Sequence, residues 1–275
     1  MSEEPTPAIG RLLEMRGLRP DDTRSTNLHS RESFFAELAP RLRTAKALGL
    51  DLDRHLARRF NVLDYLRDDE LGLSRIIADL LDPDATHGQG WLFLEAFLEC
   101  LNQPEGTPLS TSDWSFADET TTVAVTTERA ITDLRRIDVS VEIRTRTATY
   151  CLAFENKPYA HDQPNQVTDY LVFLEQTYDQ RFLLIYLCPT GEAPSEESAP
   201  AKELAERWTG RFAIMPFYES DEDWQDGLVR TPKSFAAWLE ECRRLCEVDR
   251  LRWFLHDAEL FCARKFGGKA MVDNS

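Results

Sequence analysis

The chain has 275 residues, enough for one large domain or two small ones with a sizeable core. Its 42% hydrophobic and 29% charged residues match an ordinary soluble globular protein, and no apolar run approaches the ~18 residues of a membrane span. A net charge of −16, from 48 acids against 32 bases, argues against broad electrostatic attraction to nucleic acid, where affinity comes largely from neutralised phosphates.

That balance leaves room for a local basic site or for a partner that supplies substrate binding. The first residues lack the basic start and apolar run of a secretory signal, so a cytoplasmic location is expected. The six cysteines lie scattered among apolar neighbours with no CxxC, which predicts buried reduced thiols.

Residues 1–30 are polar and carry Pro5, Pro7 and Pro20, as expected of a loose leader. From residue 31 the pattern is helical with a break near Gly49. Arg41, Arg43, Lys46, Arg54, Arg58 and Arg59 make this stretch basic, and a solvated helix face explains them more simply than a phosphate track. Residues 68–83 predict a strong helix. Asp68 or Asp69 can cap it, Leu73, Ile76, Ile77, Leu80 and Leu81 form its stripe, and Asp82-Pro83 ends it. Glu70 lies at the end of that stripe. An acid there needs a partner or a metal, or is a first-turn acid favoured by the helix dipole. A glycine turn containing His87 and Gln89 follows, then an apolar helix over 91–101 and a polar loop over 102–118.

Residues 120–130 alternate and are β-branched, so they predict the first strand. Residues 136–143 alternate strictly. Ile137, Val139, Val141 and Ile143 face one way; Asp138, Ser140 and Glu142 face the other. After a link of hairpin length, Cys151, Ala153, Glu155 and Lys157 share one strand face and Leu152, Phe154 and Asn156 the other. Pro158 stops the pairing. Pairing these two strands brings Asp138 near Glu155 and Lys157. Two carboxylates and an amine on one face suit a hard divalent cation with water and phosphate around it. An edge hairpin with a surface salt bridge would also account for the triplet taken alone. Residues 161–177 predict a helix on which Gln163, Gln166 and Tyr170 share a face. The apolar run 181–188 predicts a buried central strand. A short helix over 203–208 and a last strand over 212–217 follow, with Pro216 at an edge. Residues 231–266 are helical and amphipathic, and a frayed tail begins at Gly267.

Asp138, then Glu155-Asn156-Lys157 on the next strand, then Gln166-xxx-Tyr170 on the next helix, resembles the PD-(D/E)XK nuclease superfamily. The longer string over 155–170 and the run from Glu70 through LLDP and HGQG resemble a bacterial group within it, over about residues 60–220. Ile137 stands where the family has its eponymous proline, which is not a ligand. The resemblance implies an α/β, restriction-endonuclease-like core, a mixed central sheet flanked by helices, with helical N- and C-terminal additions in one domain over 31–266. It implies a Mg2+- or Mn2+-dependent hydrolase of phosphodiester bonds in DNA or RNA, acting in restriction, repair or defence. Asp138, Glu155, the Asn156 carbonyl and Glu70 would hold metal, Lys157 would act on the attacking water or the transition-state charge, and Gln166 and Tyr170 would position them. His87, Arg135, Arg136 and Gln163 are candidate substrate contacts. The expected partner is nucleic acid, DNA first, with a second protein or a second copy of the chain as a further one. The alternative is a catalytically silent module on the same fold, binding protein or nucleic acid, or a nuclease that only a partner activates.

Overall fold

A computed structural model describes residues 34, 36, 38–46, 48, 62–64, 67–101, 120–159, 161–189, 191–218 and 227–267. The expected leader over 1–30, the basic residues Arg54, Arg58 and Arg59, the polar loop over 102–118 and the tail beyond Gly267 lie outside them. The chain divides into two compact units, Met1–Phe60 and Asn61–Ser275. In the first unit the described residues are helical. The second carries every element that follows.

Its centre is one five-stranded sheet in the order β1-β2-β3-β4-β5, with β1 at Thr122–Ala130, β2 at Arg136–Arg144, β3 at Thr149–Asn156, β4 at Phe182–Cys188 and β5 at Phe212–Pro216. The first three strands form an antiparallel meander joined by short turns, which is what their alternation and β-branching dictate. β3, β4 and β5 run parallel, so their connections must cross over the sheet. Helix α3 at Gln166–Tyr178 makes the first crossover and the short α4 at Ala201–Glu206 the second. β4 is buried at every residue, as its unbroken apolar run requires.

The sheet separates two cores. On one face Val139, Leu152, Phe154, Ile185 and Met215 pack with the helices α1 at Glu70–Leu81, α2 at Leu92–Leu101, α5 at Phe235–Leu245 and α6 at Asp249–Phe266. On the other, Ala153, Leu184, Tyr186 and Ile214 pack with Val167, Tyr170 and Leu171 of α3 and with Leu204 of α4. This is the expected mixed sheet flanked by helices. All six cysteines are buried and unpaired, as expected. No described helix is long and apolar enough to cross a membrane.

Two local expectations need correction. The helix after β3 begins at Gln166, five residues later than the periodicity suggests. Pro164 disfavours a helical Gln163, and the Asp162 carboxylate is already bonded to the Tyr186 hydroxyl and the Ser195 N–H. Gln163 therefore precedes the helix. Ile137 also leaves the face of Val139 and joins the α3-side core. The β1–β2 register passes from Thr127↔Val139 to Arg129↔Ile137, leaving Glu128 and Asp138 outside the paired positions. Glu128 takes a left-handed φ of 52°, which costs a non-glycine residue about 1 kcal/mol. Strict pleating is lost where Asp138 turns to its site.

Trp238 joins α5 to α2. It is fully buried, donates its indole N–H to the Phe93 carbonyl at 3.1 Å and meets the Phe97 ring edge-on. Trp238→Ala leaves a large cavity and removes the indole hydrogen bond to the Phe93 carbonyl, so urea titration should show a loss of about 3–5 kcal/mol.

Candidate active site

The site begins at the first turn of α1. Asp69 caps the helix by accepting the Gly72 N–H at 3.0 Å, and it also accepts Arg67 Nε at 2.5 Å. The chain doubles back so tightly that a Cβ at Gly72 would stand 1.9 Å from the Arg67 carbonyl oxygen. Only glycine permits this entry, and the entry sets where Glu70 emerges. Ser74, one turn on, is a buried polar group in an otherwise apolar stripe. Its oxygen accepts Asn156 Nδ2 at 3.0 Å, and Asn156 Nδ2 also donates to the Glu70 carbonyl at 3.0 Å. The end of β3 is thereby fastened to α1. The Asn156 backbone N–H donates to Asp138 Oδ2 at 2.7 Å, which fastens β2 to the same residue.

Strand alternation sends the neighbours of Asn156 to the opposite face. Glu155 is 0% exposed and Lys157 6%, and the two form a direct ion pair. Lys157 Nζ lies 3.8 Å from Glu70, whose side chain is 37% exposed at the mouth. Gln166 Nε2, from the first turn of α3, donates to Glu155 Oε1 at 2.6 Å and bonds the Tyr170 hydroxyl at 3.0 Å. Tyr170 in turn donates to the Arg136 carbonyl at 2.6 Å, so α3 grips the start of β2. The surface salt bridge considered for this triplet is excluded, because both its members are buried.

Each of Glu70, Asp138 and Glu155 offers an oxygen within 4.8 Å of the other two. Burial pushes the Asp138 carboxyl well above the ordinary range, and nearby Glu155 pushes it further. Burial raises Glu155 as well, against the opposing pull of Lys157. Burial alone would lower Lys157, but Glu155, Glu70 and Asp138 hold its ammonium above the ordinary value. Glu155 Oε2 and Asn156 Oδ1 are buried without a hydrogen-bond partner. A buried anionic oxygen with no donor is strongly unfavourable unless a cation faces it. The donor set, three carboxylates at a partly open site, fits a hard divalent ion.

A family model described as the PD-(D/E)XK nuclease superfamily matches residues 60–253. The chain belongs to that superfamily. No curated protein and no solved structure matches it. Nucleases of this superfamily act on nucleic acid with divalent metals, and the Glu70, Asp138 and Glu155 cluster stands where this PD-(D/E)XK chain can bind one.

Six residues singled out from the sequence meet here: Glu70, Asp138, Glu155, Lys157, Gln166 and Tyr170. The four candidate substrate contacts are placed differently. His87 Nδ1 accepts the Gln89 N–H at 3.0 Å, so its proton sits on Nε2, which donates to the Asp82 carbonyl at 2.9 Å. Both ring nitrogens serve the turn between α1 and α2. Arg135 donates to Asp169 at 3.0 Å, Gln163 Oε1 at 2.6 Å and the Pro164 carbonyl at 2.5 Å, pinning the β1–β2 turn to the start of α3. Gln163 is engaged by that arginine, and its N–H donates to Gln166 Oε1 at 3.1 Å. Arg136 is an exposed side chain 4.0 Å from Glu128. The fastening roles of the Asn156 amide, Ser74 and Gly72 are not visible in residue spacing. Their one signal is a polar Ser74 inside an apolar helical stripe.

Both carboxylates have raised folded-state pKa values. They contribute stability that is complete below their ordinary range near ~4 and is lost as pH rises through the raised values. In EDTA the melting temperature should therefore fall between about pH 5 and about pH 9. Asp138→Asn removes one of the crowded charges and should melt higher than wild type in EDTA at about pH 8. Protons compete with a cation for these oxygens, so Mn2+ should raise the wild-type midpoint more at about pH 8 than at about pH 6, and should not raise that of Asp138→Asn. Scanning fluorimetry checks each outcome.

Proposed function

We propose that the protein is a Mg2+- or Mn2+-dependent nuclease that hydrolyses phosphodiester bonds, with DNA the first substrate to test and RNA the second, in restriction, repair or defence. One observation carries this reading: a buried Glu155 oxygen without a donor, clustered with Asp138 and Glu70 and flanked by Lys157. Asp138 and Glu155, with the Asn156 carbonyl at the strand end, are assigned to hold the ion, and Glu70 to hold it or a second one. A bound divalent ion would lower the pKa of water and offset charge on the scissile phosphate.

The chain's own groups do the rest. Asp138 has one oxygen occupied by the Asn156 N–H, which leaves the other for the ion. Glu155 Oε1 receives Gln166, which turns Oε2 away from other donors. Lys157 stays charged beside its carboxylates and can orient the attacking water or stabilise charge on the phosphate oxygens. Tyr170 holds Gln166 and the start of β2, so it acts on Glu155 through Gln166.

A nuclease that needs a partner is the second reading, and the charge pattern favours it. Arg129 is bound to Glu142 and Tyr178, Arg135 to Asp169, and Arg144 to Glu142. These arginines are neutralised within the fold, and the chain as a whole is acidic.

Purified protein should cleave labelled nucleic acid with Mg2+ or Mn2+ and not with EDTA. Lys157→Ala or Asp138→Ala should lose at least about a hundredfold to a thousandfold in rate. Gln166→Ala and Tyr170→Phe should lose about tenfold to a hundredfold, as outer positioning groups do. Metal binding by calorimetry without cleavage of any substrate would select the partner-dependent reading. Neither cleavage nor Mn2+ binding would leave the silent module.

A further inference from the structure

A cavity of about 520 Å³ adjoins the carboxylate cluster, between the segments that follow β3 and β4. Its volume lies within the ~300–1,000 Å³ of small-ligand sites. Lys157 is shared between the cavity and the cluster, so an occupant lies next to whatever phosphate the cluster engages. The inner wall is stiff. Tyr186 donates to Asp162 Oδ1 at 2.9 Å and the Ser195 N–H to Asp162 Oδ2 at 2.7 Å, which uses both oxygens of that carboxylate. Tyr159, on the wall, is 54% exposed, and its ring is backed by Phe266 at 5.9 Å between centroids. Glu192 and Glu197 are exposed lining residues.

Charge selects the occupant. Lys157 is held by Glu155 and Glu70. Apart from His161 and the buried Cys188 thiol, the other ionisable side chains along the cavity are acids and tyrosines, so a second phosphate is repelled. An uncharged planar group that can stack and donate hydrogen bonds suits an aromatic face with carboxylates beside it. On a strand whose phosphate sits at the cluster, that group is the base of the adjoining nucleotide. We infer that the cavity receives an unpaired nucleobase next to the cleaved bond, stacked on Tyr159, with Glu192 and Glu197 accepting from its exocyclic amino group. The inference rests on the nuclease reading. It makes single-stranded nucleic acid the substrate class and favours cytosine, which donates through its amino group, over thymine, which carries none.

The test is done in EDTA, where binding is read without cleavage. The probes are labelled single-stranded oligo(dC), oligo(dT) and a blunt DNA duplex, by fluorescence anisotropy, and free cytidine, by saturation-transfer NMR. Tyr159→Ala should weaken oligo(dC) binding about tenfold and abolish the cytidine signal, Tyr159→Phe should do neither, and duplex binding should not change. Glu192→Gln with Glu197→Gln should remove the preference for oligo(dC) over oligo(dT). Circular dichroism confirms that the variants fold. Single-strand binding that is absent, or unaffected by Tyr159→Ala, overturns the pocket even in an active nuclease. Tyr159-dependent binding in a protein that neither cleaves nucleic acid with either metal nor binds Mn2+ overturns the nuclease reading and leaves the pocket standing.

Discussion

Asn156 joins three elements through two groups. Its side-chain amide holds the first turns of α1, and its backbone N–H holds the Asp138 carboxylate. Strand geometry makes this effective. When Asn156 faces α1, Glu155 and Lys157 must face α3, where Gln166 and Tyr170 wait. One strand end thereby organises both helical layers. Removing the amide would cut the hydrogen bonds between β3 and α1 and leave Ser74 buried without its donor, although no group of Asn156 other than its carbonyl is assigned to the metal.

The site so built is unfavourable in isolation. Three carboxylates crowd around one lysine, and the two most buried carboxylates have raised pKa values because burial and mutual repulsion oppose their ionisation. The surrounding structure imposes this geometry. β4 is buried over its whole length, and cores on both sides of the sheet hold β3 between β2 and β4. Local strain belongs to the same arrangement. Glu128 takes a left-handed backbone conformation at the point where β2 departs from regular pairing and frees Asp138.

Three of the arginines between 129 and 146 are engaged within the fold. Arg129 and Arg144 share Glu142, and Arg135 ties the β1–β2 turn to α3. Fixed arginines of this kind position the scaffold and contribute little long-range attraction. With a net charge of −16, the proposed substrate capture would rest on short-range contacts or on a partner, and the cavity beside Lys157 would offer the former.

The sequence alone indicated the succession of strands and helices along the chain, an α1 cap at Asp68 or Asp69, the buried β4 and the six residues of the cluster. These follow from periods of 2 and 3.6, from capping chemistry and from a short string of residues that resembles one family. Tertiary structure alone decided what depends on partners far along the chain. Asn156 meets Ser74 across 82 positions and Arg135 meets Asp169 across 34, and no local pattern encodes such pairs. The start of α3 was displaced because Asp162 is bound by Tyr186 and Ser195, and Ile137 changed face because the ladder breaks beside it. Local chemistry names the groups, while burial and long-range hydrogen bonding decide which of them build the scaffold and which remain open to a metal and a substrate.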